Sequence, residues 1–148
     1  MERERQILHI ESHAGGEIIR TSVQARATFT PNHARWIYTE KLSEDEAPVA
    51  ETLEAEIDEE GKVLRAHMKR VGGFTLHLEK GREWRSEMRT PAGRLEVQIQ
   101  TTRLTGRANK NRIDLSIAYR LFLGGEESGS VEIRYWSEPL EDRKDGAM

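Results

Sequence analysis

From about Met68 to Tyr135 apolar and polar residues alternate with period two, and short turn-forming segments cut the alternation into pieces. Side chains two apart on a strand share a face, so each piece has one dry side and one wet side. Such a chain folds as antiparallel hairpins. The pattern says far more about architecture than about chemistry.

The hairpin around Thr90-Pro91-Ala92-Gly93 shows how register follows from parity. Leu95, Val97 and Ile99 point one way and Arg94, Glu96 and Gln98 the other. Pro91 holds φ near −65°, which suits the second position of a type I turn and not the left-handed positions of a two-residue loop. Reading residues 90–93 as the loop sets Arg89 against Arg94, Met88 against Leu95, Glu87 against Glu96, Ser86 against Val97 and Trp84 against Ile99. A loop at Val71-Gly72-Gly73 sets Met68 against Leu76, Ala66 against Leu78 and His67 against His77. A loop at Lys80-Gly81-Arg82 sets Leu78 by Trp84 and Phe74 by Met88. Ile113, Leu115, Ile117, Tyr119, Leu121 and Leu123 share one parity, which Val131, Ile133 and Tyr135 resume after a connection from Gly124 to Gly129. A register slip of one residue would turn each dry face outward, so the agreement among hairpins is informative.

Upstream, strands are expected near Gln6 to Glu11 and from Glu17 to Phe29, where Ile19, Val23, Ala25, Ala27 and Phe29 share parity. Thr30-Pro31-Asn32-His33 turns the chain so that Ala27 meets Trp36 and Ala25 meets Tyr38, small against large. Ser43 to Pro48 reads as an acidic loop. Residues 49–57 contain good helix formers, yet Leu53, Ala55 and Ile57 alternate, which favours a strand. Residues 139–148 read as a frayed tail after a single domain over residues 1–138.

About eight to ten strands joined mainly to their sequence neighbours, with no covering helix, leave two edges and one large dry face to hide. Closure into an up-and-down antiparallel β-barrel solves both problems, and a two-sheet β-sandwich is the alternative. The chain has 148 residues, enough to bury a core without staples.

The residues Thr90-Pro91-Ala92-Gly93, then Leu95, Val97, Ile99 and Thr101, with Arg70-Val71-Gly72, Leu76-His77-Leu78, Gly81, Tyr119 and Leu121, make the chain similar to the YwiB-like family of Gram-positive bacteria. The resemblance implies a bacterial protein with a small calycin-type, lipocalin-like barrel. It supplies no catalytic residue, because the family is a domain of unknown function. Met88 and Ala92 stand where the family often has aromatics, and Leu76 and Leu78 replace a Met and Phe pair. These changes keep the barrel and put a shared ligand in doubt.

Composition narrows the function classes. No cysteine is present, which removes disulfides, thiolate metal sites and a cysteine nucleophile. Met1 to Gln6 is charged, and no apolar run has the length of a signal peptide or membrane span, so the expected compartment is the cytoplasm with no membrane partner. Charged residues make up 33% of the chain with a net charge of only −3, a mixed surface that argues against nucleic acid. The segment Glu40 to Glu60 is strongly acidic, while arginines such as Arg65, Arg85, Arg89, Arg94 and Arg120 recur on the polar parity. Their long stems cover apolar strand surface and keep it soluble.

No catalytic motif is found: no Gly-x-Ser-x-Gly, no His-Glu-x-x-His, no phosphate-cradling glycine loop. His67 and His77 face each other with Glu79 and Arg85 near, but two ligands beside Arg65, Lys69 and Arg85 make a poor cation site, and no metal is expected. Glu87 opposite Glu96 is a like-charge pair that diagonal arginines offset. Trp36, Tyr38, Trp84, Tyr119 and Tyr135 fall on inward parity, where they either line a ligand cavity or plug the barrel. Trp136 has the opposite parity, fitting a dimer contact or packing under the tail. The leading expectation is a non-enzymatic barrel without cofactor that binds a small apolar molecule. The alternative is a protein-interaction or homodimeric barrel, and an enzyme with its site at the barrel mouth ranks last.

Overall fold

The computed structural model describes residues 2–40, 45, 47–70, 75–109 and 112–140, and every regular element among them is a β-strand. The strands are β1 Glu2–Ala14, β2 Glu17–Thr30, β3 His33–Glu40, β4 Val49–Ile57, β5 Val63–Arg70, β6 Leu76–Leu78, β7 Glu83–Thr90, β8 Gly93–Ala108, β9 Ile113–Leu123 and β10 Glu126–Pro139. They form one ten-stranded sheet in the order β6-β5-β4-β3-β2-β1-β10-β9-β8-β7. Every ladder is antiparallel, and the sheet curls into a nearly closed barrel. The up-and-down barrel is therefore the fold, and the sandwich is not.

The alternation sets the registers. All five pairs expected across Thr90–Gly93 form, as do Met68–Leu76, Ala66–Leu78, His67–His77 and Ala27–Trp36. Residues 49–57 are a strand, with Leu53, Ala55 and Ile57 buried. The chain turns at Gly124–Gly125 alone, and β10 begins at once. A bulge between Glu127 and Gly129 absorbs the odd residue, so that Val131, Ile133 and Tyr135 still meet Tyr119, Ile117 and Leu115.

Three expectations need correction. The first strand runs from Glu2 to Ala14, well beyond Gln6 to Glu11, because β2 and β10 pair along its length. Ile19 has inward parity yet is 58% exposed, since the β2–β3 ladder ends at Arg26–Ile37 and β2 continues past the rim; Ala25–Tyr38 lies just beyond that last pair. No ladder joins β6 to β7. The turn after β6 bonds to β8 instead, Gly81 N–H donating to Thr101 O (3.2 Å) and Thr101 N–H to Arg82 O (3.2 Å). A seam therefore separates the two edge strands, with Leu78 and Trp84 facing one cleft across it. Further down, a Lys62–Arg107 bridge and the Ala108 N–H to Gly61 O bond (2.8 Å) stitch it. The Val71-Gly72-Gly73 loop, Phe74, half of Ser43 to Pro48 (residues 43, 44 and 46) and the segment 141–148 lie outside the described residues.

Inside the barrel, inward side chains stack in rows. Across β3, β4 and β5 the rows read Ala34–Ala55–Ala66, then Trp36–Leu53–Met68, then Tyr38–Glu51–Arg70. The small row gives room to the large one, and Trp36 is completely buried with Phe29 edge-on at 5.6 Å. Its indole Nε1–H donates to Gln6 Oε1 (3.0 Å), which also accepts from Ser137 Oγ (2.7 Å). Ser137 Oγ in turn accepts the Ile113 N–H (2.9 Å). This network forms the floor of the barrel.

Gly106 permits a close approach of β8 to β9. A Cβ there would lie 2.2 Å from Asp114 O and 2.7 Å from Leu115 Cα, both backbone atoms of the paired strand. Gly106→Ala is expected to cost about 2 kcal/mol through forced strand separation. Thermal denaturation checks this, and an unchanged midpoint would show that the strands part freely.

Candidate functional site

Above the Trp36 row the interior changes character. Continuing along β3, the inward positions are Tyr38 and Glu40; along β4 the corresponding position is Glu51, and along β5 it is Arg70. Tyr38 pairs with Glu51 and Glu51 with Arg70 in the ladders, so three strands bring one tyrosine, one carboxylate and one guanidinium into line. Arg70 Nε donates to Glu51 Oε2 at 2.6 Å, with the Glu51 side chain only 9% exposed. The Glu40 carboxyl meets that of Glu51, and the Thr21 hydroxyl donates to it from β2.

Two facing carboxyls with one guanidinium leave a negative charge short of a partner. Burial first, and then the hydrogen bond and charge of Glu51, push Glu40 up to about 7. Burial and the same two carboxylates raise Tyr38, and burial raises Tyr119 and Tyr135. The Tyr135 hydroxyl donates to Met68 Sδ (3.4 Å) and lies within hydrogen-bonding reach of Tyr38. Tyr119 is 8% exposed as a whole, and its hydroxyl makes no hydrogen bond among the described residues.

These groups border a two-lobed cleft at the mouth. Both lobes share a wall of Ser12, Tyr38, Glu51, Met68, Arg70 and Ile133. One lobe, about 290 Å³, adds Leu76, Tyr119 and Val131; the other, about 260 Å³, adds Ile10, Thr21, Glu40 and Tyr135. Apolar walls with a few convergent polar groups and a displaced carboxyl are the usual makings of a small-molecule site.

Of the five inward aromatics, Tyr38, Tyr119 and Tyr135 come together at this mouth. Trp36 lies one row below as part of the floor. Trp84 stands apart, half-buried at the seam with its ring 5.0 Å from that of His77. Glu40, Glu51 and Arg70 share the inward parity but, being charged, were absent from the sequence-based candidates.

His67 and His77 do face each other, rings 4.5 Å apart. Burial, then the neighbouring His67 and Lys69, lowers His77. Glu79 is taken by Arg65 (3.0 Å), and among the described residues no group of three or more His, Cys, Asp or Glu could hold a metal ion. The Glu87–Glu96 pair is relieved by Arg94, 3.4 Å from Glu87. Trp136 stacks on His9 at 5.3 Å under the Arg134 guanidinium, on the outer face. Among the described residues no helix is long and apolar enough to cross a membrane.

The family model described as Domain of unknown function (DUF1934) matches residues 5–134. The chain belongs to the DUF1934 family. The match runs from Arg5 of β1 to Arg134 of β10, so it takes in the residues of the mouth except Tyr135, which follows its last residue. Among solved structures, the crystal structure of the ywiB protein from Bacillus subtilis is similar, with a TM-score of 0.72, 18% identity and 94% of each chain covered. At that identity the likeness establishes the barrel. No curated protein matches the sequence.

Proposed function

We propose that this DUF1934 chain is a non-enzymatic, cytoplasmic small-molecule-binding barrel, with the apolar body of its ligand in the mouth cleft and a polar end against Glu40, Glu51 and Arg70. The observation that carries this reading is the Tyr38–Glu51–Arg70 row, inward-facing and bordering both lobes. A row of aliphatic residues would close the barrel at lower energetic cost than buried charges do. Such charges are worth their cost where something else meets them. The lack of cysteine fits a reducing compartment. The outward faces carry ion pairs such as Arg35–Glu54 (3.2 Å) and Arg65–Glu56 (3.2 Å), where a lipid-facing barrel would be apolar, and the mixed signs disfavour nucleic acid.

Native mass spectrometry of protein purified from its own host tests the reading. The expected spectrum shows a small molecule that leaves on denaturation and is absent from a Tyr38→Ala variant. A bare mass, together with tyrosine ring resonances that ignore a fragment library, would remove it.

A second reading has its own observation. Residues 17–25 of β2 have no second ladder among the described residues, and Ile18 and Ile19 there are 51% and 58% exposed. Two copies could pair these edges. The same spectrum reports it as a dimer mass that Ile18→Lys abolishes.

A further inference from the structure

Resting on the small-molecule reading, we propose that the mouth selects a ligand carrying a protonated amine, its nitrogen between the Glu40 and Glu51 carboxyls and its apolar body in the cleft beside Tyr119. Three observations converge on this chemistry.

The first is charge. Glu40 faces Glu51 from β4, Arg70 from β5 and the Thr21 hydroxyl from β2, with Tyr38 on its own strand and Tyr135 on β10 lining the same lobe. Arg70, the one cation among them, is already held by Glu51 at 2.6 Å. Lys69 has the opposite parity, is exposed, and touches only the other lobe. An anionic head would have to approach two carboxyls to reach a guanidinium whose Nε–H is already bonded to one of them. A neutral head leaves Glu40 its proton. An ammonium group supplies the missing positive charge and replaces that proton.

The second is an uncommitted hydroxyl. Tyr119 lines the lobe that holds Glu51 and Arg70, and its hydroxyl, open to that lobe, makes no hydrogen bond among the described residues. Its oxygen is available to accept an N–H of an ammonium group whose hydrocarbon lies along the ring. On β8, Thr101 pairs with Tyr119 in the ladder, and its Oγ1 is the buried side-chain polar atom with no partner among the described residues.

The third is shape. The walls away from the carboxyls are Ile10, Met68, Leu76, Val131 and Ile133, which accommodate a hydrocarbon or ring.

Three probes of similar size separate the possibilities: 2-phenylethylamine, 2-phenylethanol and 3-phenylpropanoate. Isothermal titration calorimetry gives affinities at pH 6 and pH 8, and NMR of the tyrosine rings locates the site. The amine should bind tightest at pH 8. Because Glu40 releases its proton near 7 and the amine stays charged throughout, its affinity should fall about tenfold at pH 6. Glu40→Gln should remove that pH dependence and bring the amine to the level of the alcohol. Tyr119→Phe should weaken binding about fivefold without altering the pH dependence. If the alcohol or the carboxylate binds as well as the amine, or if Glu40→Gln leaves the amine unaffected, the ammonium inference falls while the small-molecule reading stands. If none of the three gives heat or moves the tyrosine resonances, both fall.

Discussion

Trp36→Ala is expected to lower the free energy of unfolding by about 4 kcal/mol, the largest effect of any single truncation in this barrel. Trp36 is wholly buried, with Ala27 and Leu53 as its ladder neighbours and Phe29 against its edge. Alanines already occupy the adjoining row, so no long side chain there can move into the space. The substitution also removes a donor from Gln6 Oε1. Trp36→Phe separates these contributions: it keeps most of the volume, loses the indole N–H, and should cost about 1.5 kcal/mol. Urea denaturation of the three proteins measures both. A loss below about 2 kcal/mol for Trp36→Ala would mean that the floor collapses and refills, and the row-by-row packing would have to be abandoned.

Arg70→Met should cost about 2 kcal/mol at pH 8 and much less at pH 5. The change keeps an unbranched stem but leaves Glu51 and Glu40 facing each other with no guanidinium. Breaking a buried pair costs about 3–5 kcal/mol and an exposed one under about 1; with Glu51 buried and Arg70 47% exposed, this pair lies between them. The sign with pH follows from Glu40. Its folded titration near 7 lies above the ordinary 4.5, so in that window the folded chain holds a proton that the unfolded chain has released. Stability therefore falls as pH rises through the window and levels off above it. Removing Arg70, which pulls Glu40 downward, extends the decline to higher pH. Adding Glu40→Gln to Arg70→Met should recover most of the loss at pH 8 and little at pH 5. Chemical denaturation at the two pH values is the measurement, and a penalty equal at both would reduce Arg70 to packing alone.

How much of this could be read in advance varies with the residue. The Thr90 hairpin was legible pair by pair because parity set Met88 against Leu95 and Trp84 against Ile99, but its loop is shorter than the four residues expected over 90–93: Thr90 pairs with Gly93 and only Pro91 and Ala92 connect the strands. The mouth was legible in principle. Following parity from Trp36 through Tyr38 leads to Glu40, from Leu53 back to Glu51, and from Met68 on to Arg70. Charge at those positions suggests solvent, and only the ladders, which align the three strand ends, reveal that they converge. The seam was hidden for a different reason. Lys80-Gly81-Arg82 has the composition of a hairpin loop and gives a plausible Leu78–Trp84 pair. What defeats that pairing is the backbone of Thr101, distant in sequence, and no local pattern announces it. The bulges between Thr101 and Arg103 and between Glu56 and Ile57 likewise shift parity without a motif of their own.

The ladder between β1 and β10, which runs from Gln6–Pro139 to Ala14–Val131, also governs assembly. On the ribosome, β1 through β6 can zip into a curved half-wall as they emerge, but the flank of β1 waits for a partner made last. Loop-closure entropy makes that final docking slow relative to hairpin growth. Until it happens the exposed edge and the open interior are a target for chaperones or for mispairing with other nascent chains.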